Sequence, residues 1–286
     1  MVITAKEIGF CFGVKRAVSL CEKALKEYGQ CVSFGPIIHN ERVIKRLCRA
    51  GLTTITEFSG EDVKRPVIIR SHGIHPEMKK DLLRHQRKVV DATCPFVRKV
   101  QDLVMVLKRE GYTVIIIGKP EHPEVKALAG FAGEGSLIYP VGERLVRFED
   151  EEKKKLLSTR RLAIVSQTTN TREGYYQALR SLLEETAPPE ARIFNTVCRV
   201  TERRRAEAAE IAKRVDILLV IGSRKSANTT NLYRMMRRIK PQTYLISGAD
   251  QIKNEWYRPG QRVGLVSGTS TPQETIEEVK ERLKGW

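Results

Sequence analysis

Residues 91–120 read DATCPFVRKVQDLVMVLKREGYTVIIIGKP, and this stretch decides the fold. After Cys94 the apolar residues recur at helical spacing, predicting a helix over Phe96–Glu110. Thr113–Gly118 is rich in Ile and Val without polar alternation, as expected of a parallel strand buried on both faces. Its closing glycine lies 24 residues after the cysteine. The same interval separates Cys11 in GFCFGVKRAV from Gly35, and Cys198 in NTVCRVTERR from Gly222. Polar residues and another helix follow each glycine, in GPIIHNERV, GKPEHPEVKAL and GSRKSANTTNL. Later in each repeat a strand ends in a small polar cluster: RSHGIHPE, SQTTNTRE, SGTSTPQE. The chain therefore reads as three copies of one α/β unit.

Working outward, further strands are expected at Val32–Gly35, Val67–Arg70, Val89–Asp91, Leu162–Ser166, Arg192–Val197, Ile217–Gly222, Thr243–Ser247 and Val263–Ser267. Helices are expected at Val14–Tyr28, Glu41–Ala50, Glu173–Glu185, Glu202–Lys213, Thr229–Arg238 and Gln273–Lys284, the first two stopped by Gly29 and Gly51. Strands alternating with helices argue for βαβ units and small parallel sheets. The expected fold class is α/β, with three pseudo-threefold-related modules at 11–93, 94–197 and 198–286, and residues 1–10 packing with them. Parallel α/β sheets put ligand sites beyond the carboxyl ends of their strands, where every polar cluster falls. Three such modules can turn those ends toward one axis and bring their cysteines together.

Composition bounds the function. The 286 residues are 41% hydrophobic and 30% charged, an ordinary globular balance. The opening MVITAKEIGF has no apolar core behind a basic stretch, so no signal peptide is expected. The longest apolar runs are strand-length, so no membrane span is expected. A reducing, cytoplasmic setting follows, in which the six cysteines are ligands, nucleophiles or core residues rather than a disulfide framework. The net charge of +17 suits phosphorylated substrates, acidic protein partners or nucleic acid, and also a plain Lys/Arg/Glu-rich surface. No RNA motif is visible, and 6% aromatic residues make poor stacking platforms, so no nucleic-acid partner is expected.

The cysteines divide into two groups. Cys21 falls on the apolar stripe Val14, Val18, Cys21, Leu25; Cys48 pairs with Ile44; Cys31 opens a strand. These three read as small buried hydrophobes. Cys11, Cys94 and Cys198 each precede a helix, where backbone N–H groups and the helix dipole favour negative charge on sulfur. Three converging thiolates suit zinc, as in a hydrolase activating water, or an iron–sulfur cluster with one iron left open. His39, His72 and His122 stand at strand ends beside Asn40, Ser71 and Glu124, and can donate to an anionic oxygen or move protons. Glu124 is the one carboxylate within these clusters, either complementing a helix dipole or serving as a buried proton donor. Ser226, Ala227, Asn228 and Ser270 precede or open helices, as caps or as donors to phosphate oxygens. His75 and His85 read as surface residues.

At these residues the sequence resembles the 4-hydroxy-3-methylbut-2-enyl diphosphate reductases, the LytB/IspH family of isoprenoid biosynthesis. The matching stretches are GFCFGVKRAV, GPIIHN, RSHG, DATCPFV, HPEV, QTT, NTVC, the SAN of GSRKSANT and SGTSTP, in order along nearly the whole chain. The resemblance implies a trefoil of three modules around a central 4Fe–4S cluster held by three cysteines, matching Cys11, Cys94 and Cys198. It implies that the substrate hydroxyl binds the open iron and leaves as water after uptake of two electrons and two protons. An allyl anion-like intermediate then yields isopentenyl diphosphate or dimethylallyl diphosphate. Glu124 matches the family's proton-supplying glutamate, and Thr168 the threonine that positions the hydroxyl. His39, His72, His122, Ser226, Asn228 and Ser270 match its diphosphate-binding residues. Many members carry a second serine where this chain has Ala227, leaving only the backbone N–H for that contact. The family takes electrons from ferredoxin or flavodoxin, acidic partners that suit a basic chain. On this reading Cys21→Ala and Cys48→Ala both retain bound iron, measured after anaerobic purification; iron loss in either would mean that the thiols are wrongly divided.

Overall fold

The structure is a computed structural model and describes residues 1–57, 65–85, 88–141 and 150–285. In chain order its elements begin with β1 (Val2–Thr4), α1 (Phe12–Tyr28), β2 (Cys31–Phe34), α2 (Glu41–Arg49), β3 (Leu52–Ile55), β4 (Val67–Ile69), α3 (Pro76–Arg84) and β5 (Val89–Asp91). There follow α4 (Pro95–Arg109), β6 (Thr113–Ile117), α5 (Pro123–Ala132), β7 (Leu137–Tyr139), α6 (Asp150–Ser158), β8 (Arg161–Ser166), α7 (Arg172–Thr186) and β9 (Glu190–Ile193). The last are α8 (Arg199–Arg214), β10 (Ile217–Ile221), α9 (Ala227–Ile239), β11 (Thr243–Ile246), β12 (Val263–Ser267) and α10 (Gln273–Leu283). Two compact units are formed, one of residues 1–29, 36–53 and 199–286, the other of residues 30–35 and 54–198.

The strands make three four-stranded sheets, ordered β3-β2-β4-β5, β7-β6-β8-β9 and β11-β10-β12-β1. The pairings of β2, β4 and β5, of β6 to β9, and of β10 to β12 with β1 are all parallel. All three sheets share one topology, in which the second strand lies outside the first and the third lies inside it. The fourth position is filled by β5, β9 and, in the last sheet, β1 from the chain's N-terminal end. Each of these fourth strands leads directly to one cysteine: β1 to Cys11, β5 to Cys94, β9 to Cys198.

Burial on both faces explains the unbroken apolar strands. In the sheet of β6 and β8, Ile115, Ile117 and Ile164 pack on one side with Tyr175 and Leu182. Val114, Ile116, Ala163 and Val165 pack on the other with Val104 and Leu128. The sheet of β10 and β12 repeats this, with Leu218, Val220 and Val266 in one layer and Ile217, Leu219 and Leu265 in the other. Val32, Val67, Ile69 and Leu82 form a smaller layer beside β2 and β4. Alternate residues of a strand point to opposite faces, so a strand covered by helices on both sides has no polar face to show.

Several expectations need correction. The helix expected from Val14 starts at Phe12, and the one expected from Glu202 starts at Arg199, so helices open directly after the cysteines. Exposed starting residues such as Phe12, 63% exposed, hide that start from periodicity. The strand expected at Arg192–Val197 is Glu190–Ile193. It stops because the Thr196 hydroxyl takes both backbone groups of Ser166, accepting from N at 2.7 Å and donating to O at 2.5 Å. Cys21 and Cys31 are buried, but Cys48 is exposed, because α2 buries Val43 and Leu47 rather than Ile44 and Cys48. The short strands β1, β3 and β7 and the helices α3 and α6 were not anticipated.

Ile164, fully buried, and Ile193, 45% exposed, lie on neighbouring strands and allow a direct comparison. Ile164→Ala is expected to lower stability by about 2–5 kcal/mol and Ile193→Ala by much less, read from urea unfolding. Equal losses would contradict this account of the core.

Candidate functional site

The three cysteines occupy equivalent backbone positions. The amide of Cys11 donates to the carbonyl of Thr269 at 3.0 Å, that of Cys94 to Ser71 at 2.9 Å, and that of Cys198 to Thr168 at 2.9 Å. The acceptors belong to the three polar strand-end clusters. Cys11 and Cys94 are the N-caps of α1 and α4, with side chains that make no capping hydrogen bond. All three residues are partly buried. A serine or aspartate at such a position would turn its side chain back onto the helix. A thiol caps weakly, and its sulfur is a soft, electron-rich donor that suits soft metals. Three thiols of this kind are a donor set that fits zinc or an iron–sulfur cluster.

In the unit of residues 30–35 and 54–198, α5 begins after β6 and the Gln167–Asn170 turn follows β8. These are the two central strands of their sheet, the switch point where such folds bind ligands. Glu124, in the first turn of α5, is completely buried. Its Oε1 accepts from the amide of Thr168 at 2.6 Å and its Oε2 from the Thr168 hydroxyl at 2.8 Å. Burial pushes the Glu124 carboxyl up from 4.5 to about 7, against the opposing pull of the Thr168 amide and hydroxyl. At neutral pH this group holds a proton it can also release. Thr168 therefore joins the carboxyl to the cysteine, since its carbonyl receives the Cys198 amide.

His122 is the N-cap of α5, and its Nδ1 accepts from the amide of Glu124 at 3.2 Å. A neutral ring that accepts at Nδ1 carries its hydrogen on Nε2, and so presents an uncharged donor. The His72 ring lies edge-on to His122 with centroids 5.3 Å apart. The tripeptide His-Pro-Glu occurs a second time at His75–Glu77, where His75 Nδ1 again accepts from the glutamate amide, at 3.3 Å. Both residues are exposed there, and the Lys80 ammonium holds Glu77 below the usual carboxylate range. His75 and His85 are surface residues, as expected.

In the other unit, Ser226 caps α9, accepting from the Thr229 amide at 3.3 Å, and Ala227 and Asn228 form its first turn. Ser226 and Asn228 are buried, and Ala227 is partly buried. Ser270 follows β12 and donates its hydroxyl to the His39 carbonyl at 3.1 Å, joining two of the expected residues. Here too the loops leave the two central strands of a sheet, β10 and β12. His39 lines a cleft of about 380 Å³ with Asn40, Lys45 and Lys225, where the Lys225 ammonium pairs with Glu41 at 2.6 Å. A larger cleft of about 650 Å³ between α3, α4 and α5 contains none of the expected site residues. Its charged lining is Glu77, Lys79, Lys80, Lys108 and Arg109, and it contains no cysteine or histidine.

Some supporting residues were not singled out by sequence. Asn170 donates to the Ile117 carbonyl at 2.8 Å and Thr271 to the Ile221 carbonyl at 2.8 Å, each closing the end of a central strand. Arg204 donates to the Gly9 carbonyl at 2.5 Å, two residues before Cys11. Asp91 and Asn195 each stand three residues before a cysteine, a spacing visible in DATC and NTVC.

The raised carboxyl of Glu124 makes stability depend on pH. Its folded value of about 7 exceeds the unfolded value of 4.5, so its contribution is complete below about 4.5 and is lost as pH rises through about 7. Relative to Glu124→Gln, the metal-free chain is expected to lose on the order of a few kcal/mol between about pH 5 and about pH 8 in urea unfolding. A constant difference between the two proteins would contradict the buried, proton-holding state.

The chain is similar to known proteins along nearly its whole length. A family model described as LytB protein matches residues 2–284. The 4-hydroxy-3-methylbut-2-enyl diphosphate reductase of Geobacter sulfurreducens is 38% identical over 283 residues, covering 99% of this chain and 96% of that one. That of Aquifex aeolicus is 38% identical over 290 residues, with coverage of 99% and 96%. A solved structure of (E)-4-hydroxy-3-methyl-but-2-enyl diphosphate reductase, described as the terminal enzyme of the non-mevalonate pathway, matches with a TM-score of 0.74 and 38% identity, covering 100% of this chain and 99% of that one. The Plasmodium falciparum E-1-hydroxy-2-methyl-but-2-enyl-4-diphosphate reductase, 24% identical, shares the fold with a TM-score of 0.85 over 99% of this chain and 87% of that one. With a family model matched almost end to end and relatives more than a third identical, the chain belongs to the LytB family.

Proposed function

We propose that the chain reduces 4-hydroxy-3-methylbut-2-enyl diphosphate to isopentenyl diphosphate and dimethylallyl diphosphate, the last step of the non-mevalonate pathway, with Cys11, Cys94 and Cys198 holding one 4Fe–4S cluster. The names of the relatives support the reaction. The three matching cysteine positions support the ligand set. When bound, the cluster supplies electrons and an open, Lewis-acidic iron.

The observation that carries the reading is Glu124: a fully buried carboxyl, poised near neutrality, bound twice by the residue whose carbonyl holds Cys198. Removing a hydroxyl as water and completing a new C–H bond consumes two protons and two electrons. A buried acid near pH 7 can deliver protons where bulk water is shut out. If Glu124 Oε2 carries the proton, it donates to Thr168 Oγ, whose own hydroxyl hydrogen then points outward; the pair can pass a proton to a substrate oxygen without moving a heavy atom. His39, His72, His122, Ser226, Asn228 and Ser270 bind the diphosphate as largely neutral donors. The Ala227 amide lies in the first turn of α9, where no intrahelical carbonyl receives it, and it replaces the missing hydroxyl contact. Anchoring the diphosphate fixes the other end of a short substrate against Thr168 and Glu124.

The proposal extends to organisation and setting. The chain is organised as three modules at 11–93, 94–197 and 198–286, a reading supported by the three sheets, whose described strands fall within those spans apart from β1; residues 58–64, 86–87, 142–149 and 286 lie outside the described ones. The electron donor is an acidic protein such as ferredoxin or flavodoxin, attracted by the net charge of +17. The enzyme works in the cytoplasm. No described helix is long and apolar enough to cross a membrane.

Glu124→Gln preserves shape and removes the acid. It is expected to keep its iron and to lose turnover by about 10²- to 10⁴-fold in an anaerobic assay of allylic diphosphate reduction. Full activity in that variant would remove Glu124 from its role.

A further inference from the structure

Asp91 and Asn195 make the same turn before two different cysteines. The Thr93 amide donates to Asp91 Oδ1 at 3.0 Å, and the Val197 amide donates to Asn195 Oδ1 at 3.1 Å. In each case a side chain three residues before the cysteine captures the amide of the residue immediately before it, an Asx turn. The next amide is the cysteine's own, donated to Ser71 or Thr168. Two successive amides are thus committed, one to a side chain and one to a strand-end carbonyl. This fixes the backbone on which the thiol is carried. The approach to Cys11 is held differently: the Gly9 amide donates to Ser267 Oγ at 2.8 Å and its carbonyl accepts from Arg204, with Gly9 at φ +88°.

The two turns also share an electrostatic property. Asn195 is neutral. Asp91 is charged, but Lys79 Nζ lies 2.9 Å from Oδ2 and the Arg98 guanidinium binds the same oxygen. Neither turn therefore places an uncompensated negative charge beside a thiolate ligand. We propose that Asp91 and Asn195 are positioning residues which preset Cys94 and Cys198 for metal binding, an inference that rests on the ligand assignment above. Groups that orient ligands without touching the metal typically contribute about 10- to 100-fold in affinity.

The test uses the full chain. Asp91→Ala and Asn195→Ala remove the acceptor; Asp91→Asn and Asn195→Asp keep it. Two quantities are read: iron retained in competition with a chelator after anaerobic reconstitution, and, in metal-free protein, the alkylation rate of each cysteine followed by peptide mass spectrometry. Each alanine variant is expected to weaken iron retention about 10-fold or more and to change the alkylation rate of its own cysteine severalfold, leaving the other cysteine unchanged. Asp91→Asn is expected to stay near wild type in both; Asn195→Asp keeps the turn but adds a charge beside Cys198, and is expected to retain iron better than Asn195→Ala. Wild-type iron retention and alkylation in the alanine variants would overturn the proposal, as would equal defects in the acceptor-keeping variants. Asp91→Ala also strips partners from Lys79 and Arg98; if it fails to fold, Asn195→Ala, at an exposed position, decides alone. Should wild-type protein take up no iron, the ligand assignment fails, while the alkylation rates still decide whether the turns fix the thiols.

Discussion

One hydrogen bond, repeated three times, organises the functional part of this chain: the amide of a cysteine donated to the carbonyl at the end of a buried parallel strand. It ties the start of a helix to the carboxyl edge of a sheet, where open α/β folds gather ligands. Its partners are Thr269, Ser71 and Thr168, one from each sheet. The bond is available because each sheet ends on the same side with a short polar turn, and because its fourth strand runs straight into a cysteine. Burial of the strands on both faces leaves the sheets little freedom to shift, so the cysteine backbones inherit the rigidity of the core.

Burial also separates chemistry from mere capping. His75-Pro76-Glu77 and His122-Pro123-Glu124 use the same residues and the same histidine-to-amide bond at the start of a helix. The first is exposed and its glutamate pairs with Lys80 at 2.8 Å. The second is packed at the switch point of β6 and β8, with no cation paired to its carboxyl among the described residues, and desolvation keeps a proton there near neutral pH. The role proposed for Glu124 rests on that difference rather than on the tripeptide itself.

The repeat was legible because it rests on spacing and on apolar runs that only doubly covered strands tolerate. The positions of Glu124 and Thr168 at strand ends followed from it. Less was legible where packing outvotes pattern. Cys48 is spaced from Ile44 as a buried pair should be, yet α2 turns Val43 and Leu47 inward. The strands β1, β3 and β7 are three or four residues long, too short for periodicity to register. That β1 completes the sheet of the chain's far end is a long-range pairing no local window contains. The early end of β9 depends on one hydroxyl, that of Thr196, meeting Ser166 across thirty residues.

The central claim is that Cys11, Cys94 and Cys198 serve one cofactor together. It is tested most directly by single Cys→Ser replacements at these three positions, each reconstituted anaerobically and examined for iron, sulfide and the electron paramagnetic resonance of the reduced protein. The account predicts that each replacement abolishes or severely depletes the cluster signal seen in the unsubstituted chain. A replacement at any one of the three that leaves iron content and spectrum unchanged would contradict it.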